Sequence, residues 1–92
     1  LHYVTNRRTL QNGDIFLTDC GAEYHGYTAD ITRTMPVNGK FTPAQRAIYD
    51  VVLAGQDAGF AACKPGVPYR SVHQAAFRAV AAGLFRLGIA KD

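Results

Sequence analysis

Two carboxylates, Asp19 and Asp30, stand eleven residues apart in the first third of the chain. Asp19 follows the apolar run Ile15-Phe16-Leu17, where a charge is costly unless it is paired or held by a cation. Asp30 falls in the next stretch, which is rich in threonine and β-branched residues. If the two stretches form an antiparallel hairpin with an even-numbered loop, opposite residues have an odd index sum. Asp19 and Asp30 then share a face, directly across or one diagonal apart, about 4.5–8 Å between Cβ atoms. Thr28 and Thr32 belong to that face as well. A single bulge would break the parity. Two carboxylates this close either raise one pKa or share a cation. Oxygen donors suit hard or borderline divalent ions, and two such ions about 3.5–4 Å apart suit hydrolysis. The competing reading is that each aspartate caps a turn separately.

The other residues with possible chemistry point elsewhere. Asp14, beside Gly13, reads as turn chemistry, and Asp50 and Asp57 as surface charges on a helix. His2 sits in an extended apolar segment, where a lone histidine is structural more often than functional. His25 falls at a hairpin tip and His73 in the first turn of a helix, both on the surface. Cys20 and Cys63 are far apart and form no CxxC pair, which fits neither a disulfide framework nor a zinc site. They read as two reduced, mostly buried thiols. The chain carries no glycine-rich phosphate loop and no GxSxG elbow.

The elements that must position the aspartates follow from the pattern. Residues 1–13 read as a short extended piece and a polar loop ending in the Asn12-Gly13 turn. Residues 14–20 read as one strand and residues 27–37 as a second, with Glu23-Tyr24-His25 at the tip between Gly21 and Gly26. Pro36 suggests a sheet edge. After the Asn38-Gly39-Lys40 turn the period changes. Thr42, Pro43 and Gln45 make a helix start with a capping box. Ile48, Val51, Val52, Gly55, Ala58, Gly59 and Ala62 then mark one helix face over residues 43–63. Gly55 and Gly59 suggest a close contact, since glycine otherwise weakens a helix. Ser71 and Gln74 offer a second capping box for a helix over about residues 70–87. Its inner face holds Val72, Ala75, Ala76, Ala79, Gly83, Leu84 and Leu87, and Gly88 closes it. The fold class is α+β: a β-hairpin sheet, then two helices.

Composition narrows the function classes. The 92 residues are 48% hydrophobic and 18% charged, a globular composition. The net charge of +3 comes from dispersed basic residues, with Arg7-Arg8 the one adjacent pair. There is no basic stripe for nucleic acid. No apolar run approaches the ~20 residues of a membrane span.

The stretch Asp14-Ile15-Phe16-Leu17-Thr18-Asp19-Cys20-Gly21-Ala22-Glu23-Tyr24, with Gly26-Tyr27 and the run from Asp30-Ile31-Thr32-Arg33-Thr34 through Pro36-Val37-Asn38-Gly39-Lys40-Phe41, resembles the Xaa-Pro aminopeptidase and prolidase group of the pita-bread metallopeptidases. Leu1-His2-Tyr3 and Lys64-Pro65-Gly66-Val67 match as well, so the resemblance spans nearly the whole chain. It implies the first half of a pita-bread fold: residues 1–92 as the N-terminal half of a catalytic domain.

The resemblance also implies two divalent ions, Mn²⁺ first with Co²⁺ or Zn²⁺ as alternatives, held in the family by two Asp, one His and two Glu. Asp19 matches the first of these Asp ligands and Asp30 the second, which bridges both ions. His2 matches a histidine that hydrogen-bonds substrate and steadies the tetrahedral intermediate. Thr32 lies where its hydroxyl could orient Asp30. The implied reaction is attack of a metal-activated hydroxide on the carbonyl of an Xaa–Pro bond, in a proline-containing peptide. The parent is expected to be a cytoplasmic homo-oligomer, with no nucleic-acid or membrane partner. The family's later His and two Glu are absent from these 92 residues, whose one glutamate is Glu23 at the hairpin tip. The chain alone is therefore expected to be inactive. The alternatives are a catalytically silent pita-bread domain that binds peptides or protein partners, and an unrelated interaction module.

Overall fold

Asn12 and Gly13 turn the chain into its first strand: the Asp14 amide donates to the Gln11 carbonyl at 3.1 Å, and Gly13 has φ +94°. The computed structural model describes residues 3–91 and divides into two units, Leu1–Thr42 and Pro43–Asp92. Its element order is the expected α+β series of hairpin strands followed by two helices.

In the first unit, β1 (Ile15–Thr18) pairs antiparallel with β4 (Arg33–Pro36), and β2 (Glu23–Tyr24) with β3 (Tyr27–Thr28). Ile15 faces Pro36 and Glu23 faces Thr28, so one odd index sum runs through both pairs. The same register holds between them. The Ile31 amide donates to the Cys20 carbonyl at 2.7 Å, and the Ala29 amide to the Ala22 carbonyl at 3.0 Å. The loop is the two residues His25 and Gly26, with φ +52° and +83°. Positive φ at both positions marks the tight turn whose twist matches that of its strands. Val37 N donates to Asp14 O at 3.0 Å, which makes Ile15–Pro36 a non-hydrogen-bonded pair. The N–H that proline lacks would point away from the partner there.

Two details differ from the sequence expectation. Glu23 and Tyr24 are strand residues, not the tip. The strands also do not run unbroken, because regular pairing stops after Thr18 and resumes at Glu23. At Gly21 the backbones approach so closely that a Cβ would coincide with the Ala29 carbonyl.

In the second unit, α1 (Pro43–Ala62) starts with Pro43 at its first position, as expected. α2 (Tyr69–Arg86) begins two residues before Ser71, so the expected Ser71–Gln74 capping box does not form. Pro68 holds the N-cap instead, at φ −59° and ψ 136°, with no side-chain cap bond. At the other end, Gly88 N donates to Phe85 O at 2.9 Å and Ile89 N to Leu84 O at 3.0 Å. With Gly88 at φ +69°, this is a Schellman cap.

The two helices meet along a narrow stripe. Val51, Gly55 and Gly59 of α1 are buried, as is Gly83 of α2. The contact is reciprocal. Val51 sits over Gly83, whose Cβ would lie 2.6 Å from both valine Cγ atoms. Val80, absent from the expected face, sits over Gly55, whose Cβ would lie 2.5 Å from Val80 Cγ2. Ile48, Val52 and Leu87 were expected inside but are exposed. A contact between glycines and valines is too narrow to cover residues beside it.

Candidate metal site

The carboxylate pair inherits its placement from the hairpin register. Asp14, Cys20 and Ala22 occupy hydrogen-bonded positions, so residues 19 and 32 are opposite in a non-hydrogen-bonded pair, as are residues 21 and 30. Opposite residues share a face. Carried through residues 19–22 and 29–32, where regular pairing is interrupted, that register assigns Asp19, Asp30 and Thr32 to one face, with Asp19 and Asp30 one diagonal apart; the Gly21 Cβ direction instead meets the Ala29 carbonyl. Both aspartates are exposed. The Thr32 hydroxyl donates to Asp30 Oδ1 at 2.5 Å, which fixes one carboxylate oxygen and leaves the other free. The Arg33 guanidinium bonds the Thr32 carbonyl at 2.7 Å and not the carboxylates.

The donors present are hard oxygens, and among the described residues neither carboxylate is in an ion pair, which fits a divalent ion as part of its ligand set. They are not a complete set: among the described residues no group of three or more His, Cys, Asp or Glu side chains converges. Glu23 is engaged elsewhere, its Oε1 accepting from the Gly26 amide at 2.6 Å. His2 lies outside the described residues.

Several other titratable groups have structural partners. Asp14 accepts from the Gln11 amide at 3.1 Å and from Arg8 at 2.8 Å. Asp50 pairs with Arg46 one helical turn away at 2.8 Å. His25 packs edge-on against Tyr24, and His73 stacks near Phe77. The Tyr3 hydroxyl accepts from the Arg7 and Arg8 amides at 2.8 and 2.9 Å. A side-chain hydrogen bond with Thr5, then these amides, hold its pKa below the usual phenol value. Cys20 and Cys63 are free, as expected, but both are exposed and not buried. Cys20 lies on the interrupted part of the ladder and Cys63 just beyond the end of α1.

Sequence reasoning missed the close backbone approach at Gly21, which it reads as a bracket of the tip. Its position two residues after Asp19, so that index parity pairs it with Asp30, is the signal that could have found it.

A hairpin that sets two aspartates on one face, followed by a helix pair, is the first part of the pita-bread metallopeptidase fold. The chain belongs to metallopeptidase family M24, whose model matches residues 1–91. It is 47% identical over 91 residues to an Xaa-Pro aminopeptidase of Escherichia coli, covering 99% of this chain and 21% of that protein. It is 47% identical over 89 residues to Xaa-Pro aminopeptidase 2 of Streptomyces coelicolor, covering 96% and 19%. The solved structure of Pseudomonas aeruginosa aminopeptidase PepP matches with a TM-score of 0.92 at 43% identity, over 100% of this chain and 21% of that one. The chain thus spans about a fifth of the length of these relatives. No helix among the described residues is long and apolar enough to cross a membrane.

Proposed function

We propose that this chain is the N-terminal half of the catalytic domain of a peptidase that hydrolyses Xaa–Pro bonds, with Asp19 and Asp30 as ligands to a pair of divalent ions. The observation that supports the reading is the odd index sum shared by both strand pairs on either side of the interruption, which assigns both carboxylates to one face, together with the Thr32 bond to Asp30. The names of the relatives favour an aminopeptidase over a dipeptidase. Ions bound there would supply Lewis-acid activation of a water and of the scissile carbonyl. The chain's own residues would do the positioning: Asp19 and Asp30 would hold the ions, and the Thr32 hydroxyl would hold the Asp30 carboxylate in one orientation. His2 would donate a hydrogen bond to the substrate carbonyl as charge develops on it. Mn²⁺ is the ion we favour, since the two proposed donors are carboxylates. The substrate is a proline-containing peptide. We assign the protein to the cytoplasm, in keeping with its two free thiols, and expect a homo-oligomer.

The test is a full-length assay on an Xaa–Pro peptide with Mn²⁺ and with chelator. Turnover that needs the metal and is lost in Asp19→Asn and Asp30→Asn supports the proposal. A protein that binds the peptide and never cleaves it would replace it with the silent-domain reading.

A further inference from the structure

Gly21 stands directly opposite Asp30 in the hairpin register. A Cβ built on Gly21 would fall on the carbonyl oxygen of Ala29 and lie 3.3 Å from the amide nitrogen of Asp30. The carbonyl and that nitrogen belong to one rigid peptide plane, so whatever moves the Ala29 oxygen turns the backbone that carries the Asp30 side chain. The neighbouring ladder bonds, Ala29 N to Ala22 O and Ile31 N to Cys20 O, hold that plane from both sides. The Thr32 hydroxyl holds the carboxylate at the other end.

We propose that Gly21 is a positioning residue for the Asp19–Asp30 pair: its missing side chain lets the Ala29–Asp30 peptide fold over the strand, and that fold sets where the Asp30 carboxylate stands relative to Asp19. The inference rests on the metal reading above. A methyl at position 21 displaces backbone and not the end of a flexible side chain, so it cannot be absorbed by a rotamer change. The two neighbouring bonds are short enough to keep the strands in register, and the displacement falls on the peptide between them. A shift of Asp30 then spoils a shared site, which needs both carboxylates within coordination distance of the same ions.

The experiment uses the full-length protein and Mn²⁺ titration calorimetry, with thermal melting in chelator as the measure of folding. Gly21→Ala is expected to weaken Mn²⁺ binding tenfold or more while a cooperative melting transition remains. Gly21→Ala combined with Ala29→Gly, which frees the displaced peptide to relax, is expected to recover part of that loss. Asp30→Asn is the control. If Asp30→Asn binds Mn²⁺ unchanged, the metal reading fails and this inference with it. If Asp30→Asn loses binding and Gly21→Ala keeps it, this inference alone is overturned. It is overturned equally if Gly21→Ala has no melting transition and the second substitution does not restore one, because Gly21 would then be required for the hairpin itself.

Discussion

The helix pair makes a graded prediction from three glycines. At Gly83 a methyl would lie 2.6 Å from both Cγ atoms of Val51 and 3.1 Å from its Cβ. Valine in a helix keeps essentially one side-chain rotamer, so Val51 cannot swing aside and the helices must separate. At Gly55 a methyl would lie 2.5 Å from Val80 Cγ2 and 3.4 Å from the Ala76 carbonyl. At Gly59 its nearest neighbours are Ala76 Cβ at 3.7 Å and Val72 Cγ1 at 3.8 Å, which is ordinary contact. Overpacking costs about 1–3 kcal/mol, while glycine to alanine inside a helix gains about 1 kcal/mol. Gly83→Ala is therefore expected to destabilise by up to about 2 kcal/mol, with Gly55→Ala close behind. Gly59→Ala should be neutral or stabilising by up to about 1 kcal/mol. Gly59→Leu reaches past the available space and returns to a cost of about 1–3 kcal/mol. Urea denaturation of the full chain reads these differences, provided the slope of the transition is unchanged. Gly83→Ala and Gly59→Ala with the same midpoint would refute the packing described for α1 and α2.

Thr32→Val removes the donor to Asp30 and is expected to weaken Mn²⁺ affinity about 10–100-fold by calorimetry, with Thr32→Ser retaining most of it. Residues 1–92 alone, incubated with Mn²⁺ and an Xaa–Pro peptide, should give no turnover; turnover abolished by Asp30→Ala would show that the chain completes a site from ligands not identified. For Tyr3, a folded-state pKa below the unfolded value of about 10 favours the phenolate, so its contribution to stability is present above that pH and lost as pH falls through the lowered value. A pH titration of phenolate absorbance should therefore lose its earliest-rising part in Tyr3→Phe, and an identical titration curve in the variant would count against the Thr5, Arg7 and Arg8 hydrogen bonds.

Much of the hairpin is legible in the sequence because strand parity is integer arithmetic. Once the loop between two strands has an even number of residues, every pair from Asp14–Val37 to Tyr24–Tyr27 is fixed. The sequence does not announce where the ladder is interrupted. That depends on a backbone approach at Gly21, and a glycine has the same letter whether it brackets a turn or makes room for a carbonyl. The helices show the same division. Their spans and the Gly88 stop follow from periodicity and from a residue that tolerates positive φ. The expected Ser71 cap fails because Pro68 begins the helix earlier. The expected broad inner face fails because a glycine–valine contact is set by which side chains fit, and periodicity weights Val52 and Val51 alike. For the site, residue types and spacing select the two aspartates, and the Thr32 bond follows from two side chains on one strand face two residues apart.

Ligand count and burial run in the same direction. Val51, 6% exposed, is the one buried hydrophobic side chain among the described residues, while Leu17, Phe60 and Phe77 are each 60% exposed or more. Full burial of one valine stabilises by about 1.5–3 kcal/mol, against an ordering cost of about 1–2 kcal/mol for every backbone residue fixed. Helix hydrogen bonds and the hairpin ladder do not close such a gap alone, since the net gain per bond is only about 0.5–1.5 kcal/mol. The aspartate pair adds to it: with no cation bound, two like charges on one face oppose the register that brings them together. Exposed apolar surface on this scale calls for cover by other protein surface, and a second copy of the chain is one source of it. Loss of catalysis and self-association of the isolated chain are thus one expectation with one cause: coordination positions and apolar faces that this stretch of sequence opens and does not itself fill.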